Sequence, residues 1–218
     1  MDETLSLYDY SLPKSCIAQT PARPRDVAKL LVYDRKAKKV SFDTFRNIGA
    51  YFPEGAVLVL NDTKVIPARF FVKKESGGKA TLFYIRTHKN LLEVWSDRAL
   101  RVGGKLFLGP HAFTVVEQKE KSFFLRPSFP VQNIIRILER YGTTPIPPYI
   151  NHSPLGERSL RKEYQSVFAK KHGSIAAPTA SLHFTNRLLA KLKRQGIRIV
   201  YVTLHVNLGT FAPVSKSQ

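Results

Sequence analysis

Between Val65 and Pro127 the chain breaks into short runs of strand-forming residues, each closed by a turn, and this texture restricts the fold more than any other feature. The runs are Arg69 to Lys73, Thr81 to Arg86, Leu91 to Trp95, Lys105 to Leu108, Phe113 to Val116 and Ser122 to Arg126. Between them stand Ser76-Gly77-Gly78, His88-Lys89-Asn90, Gly103-Gly104 and Gly109-Pro110. Many short strands at such close spacing predict a small antiparallel β-barrel.

The flanks read differently. Lys29 to Tyr33, a turn over Asp34 to Ala37 and the alternating Lys38 to Phe42 form a hairpin pattern. Thr44 to Phe52 reads as a short helix stopped by Pro53, and Gly55 to Leu60 as a buried strand ending in Asn61-Asp62-Thr63. Helical spacing returns at Val131, Ile134, Ile135 and Leu138 and ends near Gly142. Pro145 to Tyr149 is stiff and extended, and Glu157 to Lys171 reads as a helix with Tyr164, Val167 and Phe168 on one side. Thr185 is placed to cap a helix carrying Leu188, Leu189 and Leu192, with Gly196 as its stop, before a buried strand over Ile197 to Val206. The expected architecture is an α/β domain interrupted by the barrel: residues 1–64, an insert over 65–128, and the α/β domain again over 129–218.

Charge narrows the partners. Lys and Arg number 35 against 16 acids, a net +19, and from Asn151 onward the count is 11 basic residues to two acidic. Such a surface attracts polyanions, of which nucleic acid is the commonest in a cytoplasm; a high net charge also serves solubility. No run of about 18 apolar residues occurs, so no membrane span is expected. Met1-Asp2-Glu3 lacks the basic-then-apolar order of a signal peptide, and the single Cys16 makes neither an internal disulfide nor a metal site. The chain is expected to be cytoplasmic, with no metal.

Three polar stretches adjoin the α/β elements, where such folds place their sites: Asn61 to Lys64, Ala176 to Phe184 and Thr203 to Phe211. Asn-Asp-Thr is equally an ordinary turn, and Pro-Thr-Ala-Ser ahead of a helix an ordinary capping segment. A lone His serves structure more often than catalysis. On a strand, Thr203, His205 and Asn207 point to one face and Leu204, Val206 and Leu208 to the other. There is no Walker loop, no GxGxxG after a strand, no GxSxG elbow and no paired-cysteine site. These features describe a basic α/β protein with a barrel, fit to bind RNA, and name no reaction.

Several strings name a family. They are Val57 to Arg69 (VLVLNDTKVIPAR), Gly142 to Ile150 (GTTPIPPYI), Tyr164-Gln165, Gly173 to Phe184 (GSIAAPTASLHF) and Val202 to Val214 (VTLHVNLGTFAPV). In this order they resemble the S-adenosylmethionine:tRNA ribosyltransferase-isomerases from about Leu12 to Val214. The resemblance implies an α/β domain interrupted by a β-barrel. It implies transfer and isomerisation of the ribosyl part of S-adenosylmethionine onto 7-aminomethyl-7-deazaguanine at the tRNA wobble position. The product is epoxyqueuosine, with adenine and methionine released. S-adenosylmethionine is then a substrate, and no cofactor is implied.

That chemistry takes a proton from the attacking aminomethyl group and steadies the departing adenine. His183 and His205 are the side chains expected in those roles, with Thr179, Ser181 and Thr210 as hydroxyl donors. Asn61, Asp62 and Thr63 are expected to bind substrate, and Arg69 to hold a carboxylate or phosphate. Lys191, Lys193, Arg194 and Arg198 are expected to neutralise tRNA phosphates. Ser181 and Asn207 stand where the family carries glycine, and Lys64 where it carries Arg. The family continues past Val214 with a His-x-Met-His-x-Glu-like segment, so the chain is expected to be C-terminally truncated. Three expectations follow: an enzyme whose second half comes from a separate C-terminal-half polypeptide or lies outside this sequence, an inactive remnant, or a non-catalytic tRNA-binding protein.

Overall fold

The computed structural model describes residues 7–147, 149–150 and 153–207. Six strands carry the expected barrel: β5 (Arg69–Lys74), β6 (Lys79–His88), β7 (Leu91–Ser96), β8 (Lys105–Leu108), β9 (His111–Lys119) and β10 (Ser122–Pro127). They close in the order β10-β7-β6-β5-β8-β9, every pairing antiparallel. Alternation along each strand sends Phe70, Val72, Leu82, Val94, Phe113, Val115 and Leu125 inward, where they are buried in one cluster. Each such side chain contributes about 1.5–3 kcal/mol on leaving water. Helix α1 (Ile134–Tyr141) adds Ile134, Ile137 and Leu138 to the same cluster.

The segments before and after the barrel meet. Strand β3 (Val57–Asn61) pairs in parallel with β12 (Arg198–Val202), and β4 (Thr63–Val65) in parallel with β11 (Lys171–Ser174). Hairpin β1 (Lys29–Asp34) and β2 (Lys39–Thr44) stands as expected and leads into a 3₁₀ helix over Phe45–Tyr51. A second core gathers Phe45, Leu60, Phe168, Phe184, Leu188, Leu189, Leu192 and Ile197. Helix α3 (Asn186–Arg194) supplies its leucines, and the Leu188 amide donates to Thr185 Oγ1 at 3.1 Å, the anticipated cap.

Three expectations are corrected. Strands β3 and β12 are not buried: Val57, Val59, Val200 and Val202 are 42%, 54%, 37% and 41% exposed. The pair is only two strands wide, with Leu58, Leu60 and Ile199 against the second core. Helix α2 spans Glu157–Glu163 and stops well short of Lys171. Beyond it the Gln165 side chain acts like a strand partner, accepting from the Val65 amide at 3.0 Å and donating to its carbonyl at 2.7 Å. Strand β12 ends at Val202, so Thr203 to Asn207 are not strand.

Candidate functional site

The polar stretch after β3 and the stretch after β12 are laced together. Asn61 Nδ2 donates to the Leu204 carbonyl at 2.8 Å, and the Leu204 amide returns to Asn61 Oδ1 at 3.0 Å. Thr203 Oγ1 donates to buried Asp62 Oδ1 at 2.6 Å. Thr63 Oγ1 and His205 Nδ1 lie 2.8 Å apart. The expected strand face of Thr203, His205 and Asn207 does not form, because the strand ends at Val202; Thr203 is tied to Asp62 and His205 to Thr63 instead. The Asn61 and Asp62 side-chain oxygens hold chain to chain, so a ligand would share them with these bonds. His205 is exposed, and among the described residues its Nε2 has no hydrogen bond. Behind its ring lies Gly173 at φ +149, where a Cβ would sit 2.6 Å from His205 Cε1.

A second assembly surrounds His183. The segment Thr179–His183 is a 3₁₀ turn, and its residues Thr179 and His183 line a cleft of about 180 Å³. Arg25, Pro147, Tyr149 and Tyr164 line it too, so segments distant in sequence converge on it. The His183 ring packs against Phe45 with centroids 5.3 Å apart. Burial holds its pKa below the usual imidazole value; a hydrogen bond to the Arg25 carbonyl opposes this, and the Arg25 charge adds to it. The Arg25 guanidinium donates to the Gln165 and Lys162 carbonyls at 2.5 and 2.7 Å and pairs with Glu163 at 3.4 Å. Burial, and then Tyr149, raise the Tyr164 phenol above its usual range. The result is a small pocket with a neutral imidazole, phenols and a fixed cation, able to hold a planar polar ligand and to take or give a proton.

The expected residues thus divide. His183 and Thr179 share the cleft, whereas Asn61, Asp62, Thr63, Arg69, Ser181 and His205 are not among its lining. Ser181 is buried, its amide and carbonyl closing the 3₁₀ turn. Arg69 opens β5, its backbone bonded both ways to Thr143 and its guanidinium over Phe71 at 5.2 Å. Lys191, Lys193 and Arg194 are exposed on α3, and Arg198 at the start of β12. Thr210 lies outside the described residues. Sequence reading missed Arg25, for which no local pattern exists, and the role of Gln165. Tyr149 was marked only by the string that contains it, and Tyr164 by its string and by the side of the expected helix it shares with Val167 and Phe168. Among the described residues no helix is long and apolar enough to cross a membrane.

A closed barrel beside parallel strand pairs, a small cleft around His183 and a net charge of +19 together describe a strongly basic α/β protein. The profile of the family described as queuosine biosynthesis protein matches residues 5–218, and the chain belongs to that family. It is 42% identical over 216 residues to the S-adenosylmethionine:tRNA ribosyltransferase-isomerase of Geotalea uraniireducens (strain Rf4), covering 96% of this chain and 62% of that protein. The same-named protein of Syntrophomonas wolfei subsp. wolfei is 43% identical, with 97% and 61% covered. That of Aquifex aeolicus (strain VF5) is 40% identical, with 95% and 62% covered. The chain therefore spans about three fifths of the length of these relatives. A crystal structure of S-adenosylmethionine tRNA ribosyltransferase from Thermotoga maritima aligns at 26% identity and a TM-score of 0.38, over 93% of this chain and 59% of that one.

Proposed function

We propose that this chain serves the transfer and isomerisation of the ribosyl group of S-adenosylmethionine onto 7-aminomethyl-7-deazaguanine in a tRNA anticodon, giving epoxyqueuosine in cytoplasmic tRNA. The observation that carries this reading is the unbroken family match over residues 5–218, with relatives of that name above 40% identity. In this reading the barrel is an insert in the family's α/β domain, and the chain spans about three fifths of the length of its relatives.

The cleft supports His183 as the proton-transfer group, since burial keeps its imidazole neutral and so able to accept a proton near neutrality. Thr179 stands beside it as a hydroxyl donor. Asn61, Asp62 and Thr63 act by holding the Thr203–His205 segment, which presents the free edge of His205 to substrate. The cations of α3 and Arg198 draw the tRNA backbone in. S-adenosylmethionine is consumed as substrate, and no further cofactor enters.

Incubation of the chain with S-adenosylmethionine and tRNA bearing the deazaguanine, alone and with a C-terminal-half polypeptide, tests this. Adenine release in either condition is the expected result; none in both would sink the reading. A second reading, tRNA binding without catalysis, draws on the Asn61 and Asp62 side chains being engaged within the protein. It predicts salt-sensitive tRNA binding with no adenine released.

A further inference from the structure

The barrel's outer face carries large aromatic side chains where an ordinary barrel would present polar ones. Phe71 on β5 is 50% exposed, and Phe83 on β6, Trp95 on β7 and Phe124 on β10 are each partly exposed. These four strands are consecutive neighbours in the closed sheet. The register lines up one continuous row, Arg69 opposite Phe83, Phe83 opposite Trp95, Trp95 opposite Ser122 and Ser122 opposite Lys119. Phe83 and Trp95 touch, with centroids 5.4 Å apart and rings tilted by 54°. Phe71 follows Arg69 on the same side of β5, and Phe124 stands opposite Glu93.

Cations are interleaved with these rings. The Arg69 guanidinium lies 5.2 Å from the Phe71 centroid, and Lys119 Nζ lies 5.6 Å from that of Phe124. Arg69, Lys73 and Arg126 have no carboxylate partner among the described residues, and Arg69 Nε is covered without a hydrogen-bond acceptor. Of the acids on this face, Glu93 is matched by Arg86 at 2.6 Å and Glu117 by Lys119 at 3.3 Å, while the exposed Asp97 accepts the Thr81 amide at 2.8 Å. The unpaired cations Arg69, Lys73 and Arg126 outnumber that one carboxylate. Cross-strand aromatic pairing alone would account for Phe83 against Trp95. It leaves the half-exposed Phe71 and the unpaired cations beside it without a role.

We infer that this face is a stacking platform for unpaired nucleotides of an RNA loop. Exposed ring faces separated by cations suit a strand whose bases are free to stack and whose phosphates alternate with them. A duplex keeps its base faces hidden and offers nothing to the rings. The inference rests on the tRNA reading above and deepens it: a wobble-position substrate sits in a loop, and this surface holds that loop's neighbouring bases. Lys73 and Arg126, exposed beside the rings, then take the phosphates.

Trp95 is the only tryptophan of the chain, so its fluorescence reports on this surface alone. Titration of the full chain with a single-stranded RNA heptamer should quench it, and a blunt RNA duplex of equal length should not. Phe71→Leu keeps apolar bulk and removes the ring, and it should weaken heptamer binding about tenfold while the melting curve stays in place. Phe124→Ala should do the same, and its loss of fold would leave the Phe71→Leu result to decide. Equal quenching by duplex, or heptamer affinity untouched by Phe71→Leu, overturns the platform. Filter retention of whole tRNA separates the two readings. Retention without a Trp95 response rejects this surface and leaves the tRNA reading standing, whereas no retention at all rejects both.

Discussion

Thr63 Oγ1 and His205 Nδ1 meet at 2.8 Å, joining the strand that precedes the barrel to the segment that follows the last strand. The bond fixes which ring edge faces solvent, and Gly173 fixes where the ring can lie. Any side chain at 173 would put a Cβ 2.6–2.8 Å from three atoms of the imidazole, at a positive φ that already disfavours one. Gly173→Ala should therefore destabilise the fold by about 1–3 kcal/mol. Adding His205→Ala should return part of that loss, a coupling read from urea midpoints of the four species of the cycle. Strict additivity would show that the ring and the glycine do not compete for this space.

Gln165 bridges Val65 through both atoms of its amide, so each of its substitutions makes a distinct prediction. Gln165→Glu keeps the bond from the Val65 amide and sets a carboxylate against the Val65 carbonyl. It should cost about 1–3 kcal/mol in denaturant unfolding, and less at a pH low enough to protonate the new carboxyl. A loss that does not shrink on acidification would contradict the facing-oxygen account.

What could be read from the residues alone follows how local the cause is. All six barrel strands were legible because alternation and turn residues act within a few positions. The Thr185 cap was legible for the same reason. Strands β3 and β12 were recognised as strands, but their apolar runs carry no sign of how many layers cover them, and two valines of each stand in solvent. Helix α2 was drawn too long because Gln165 ends it through a partner 100 residues away, which no window of sequence contains. His183 and Thr179 were named on motif strings, yet the cleft between them and Arg25 needed the folded chain to bring together segments far apart in sequence.

Burial lowers the His183 pKa, which sets the sign of a pH effect. The unfolded chain titrates near the ordinary value of about 6.5 and binds the proton before the folded chain does. The stabilisation is thus fully present above about pH 6.5 and is lost as pH falls through the lower folded value. Urea midpoints of the wild type should fall between pH 7.5 and pH 5 by more than those of His183→Gln, the difference isolating this group. Parallel profiles would mean that His183 is no more buried from protons than a free imidazole.

Thr185 has two duties, accepting from the Leu188 amide at 3.1 Å and donating to Asp26 Oδ2 at 3.2 Å. Asp26 is buried and is paired as well with Arg46 at 3.3 Å. Thr185→Ala removes the cap of α3 and one partner of a buried carboxylate together, and should cost about 2 kcal/mol. Thr185→Ser retains the hydroxyl and should cost less than half as much. Equal losses in thermal unfolding would assign the effect to the methyl group instead.

The cations of α3 separate binding from folding. Leu188, Leu189 and Leu192 anchor the helix in the second core, while Lys191, Lys193 and Arg194 stay exposed, as does Arg198 beyond it. Changing all four to Gln should leave the melting temperature within a few degrees, because exposed charges contribute little to stability. Affinity for tRNA should fall by tenfold or more at moderate salt, and the slope of log affinity against log salt should flatten by roughly 0.7–0.9 for each phosphate that is no longer neutralised. Filter binding at several salt concentrations gives both numbers. Weaker binding with an unchanged slope would mean that these side chains shape the surface without touching phosphate, and the groups that neutralise the RNA backbone would then have to be sought on the barrel.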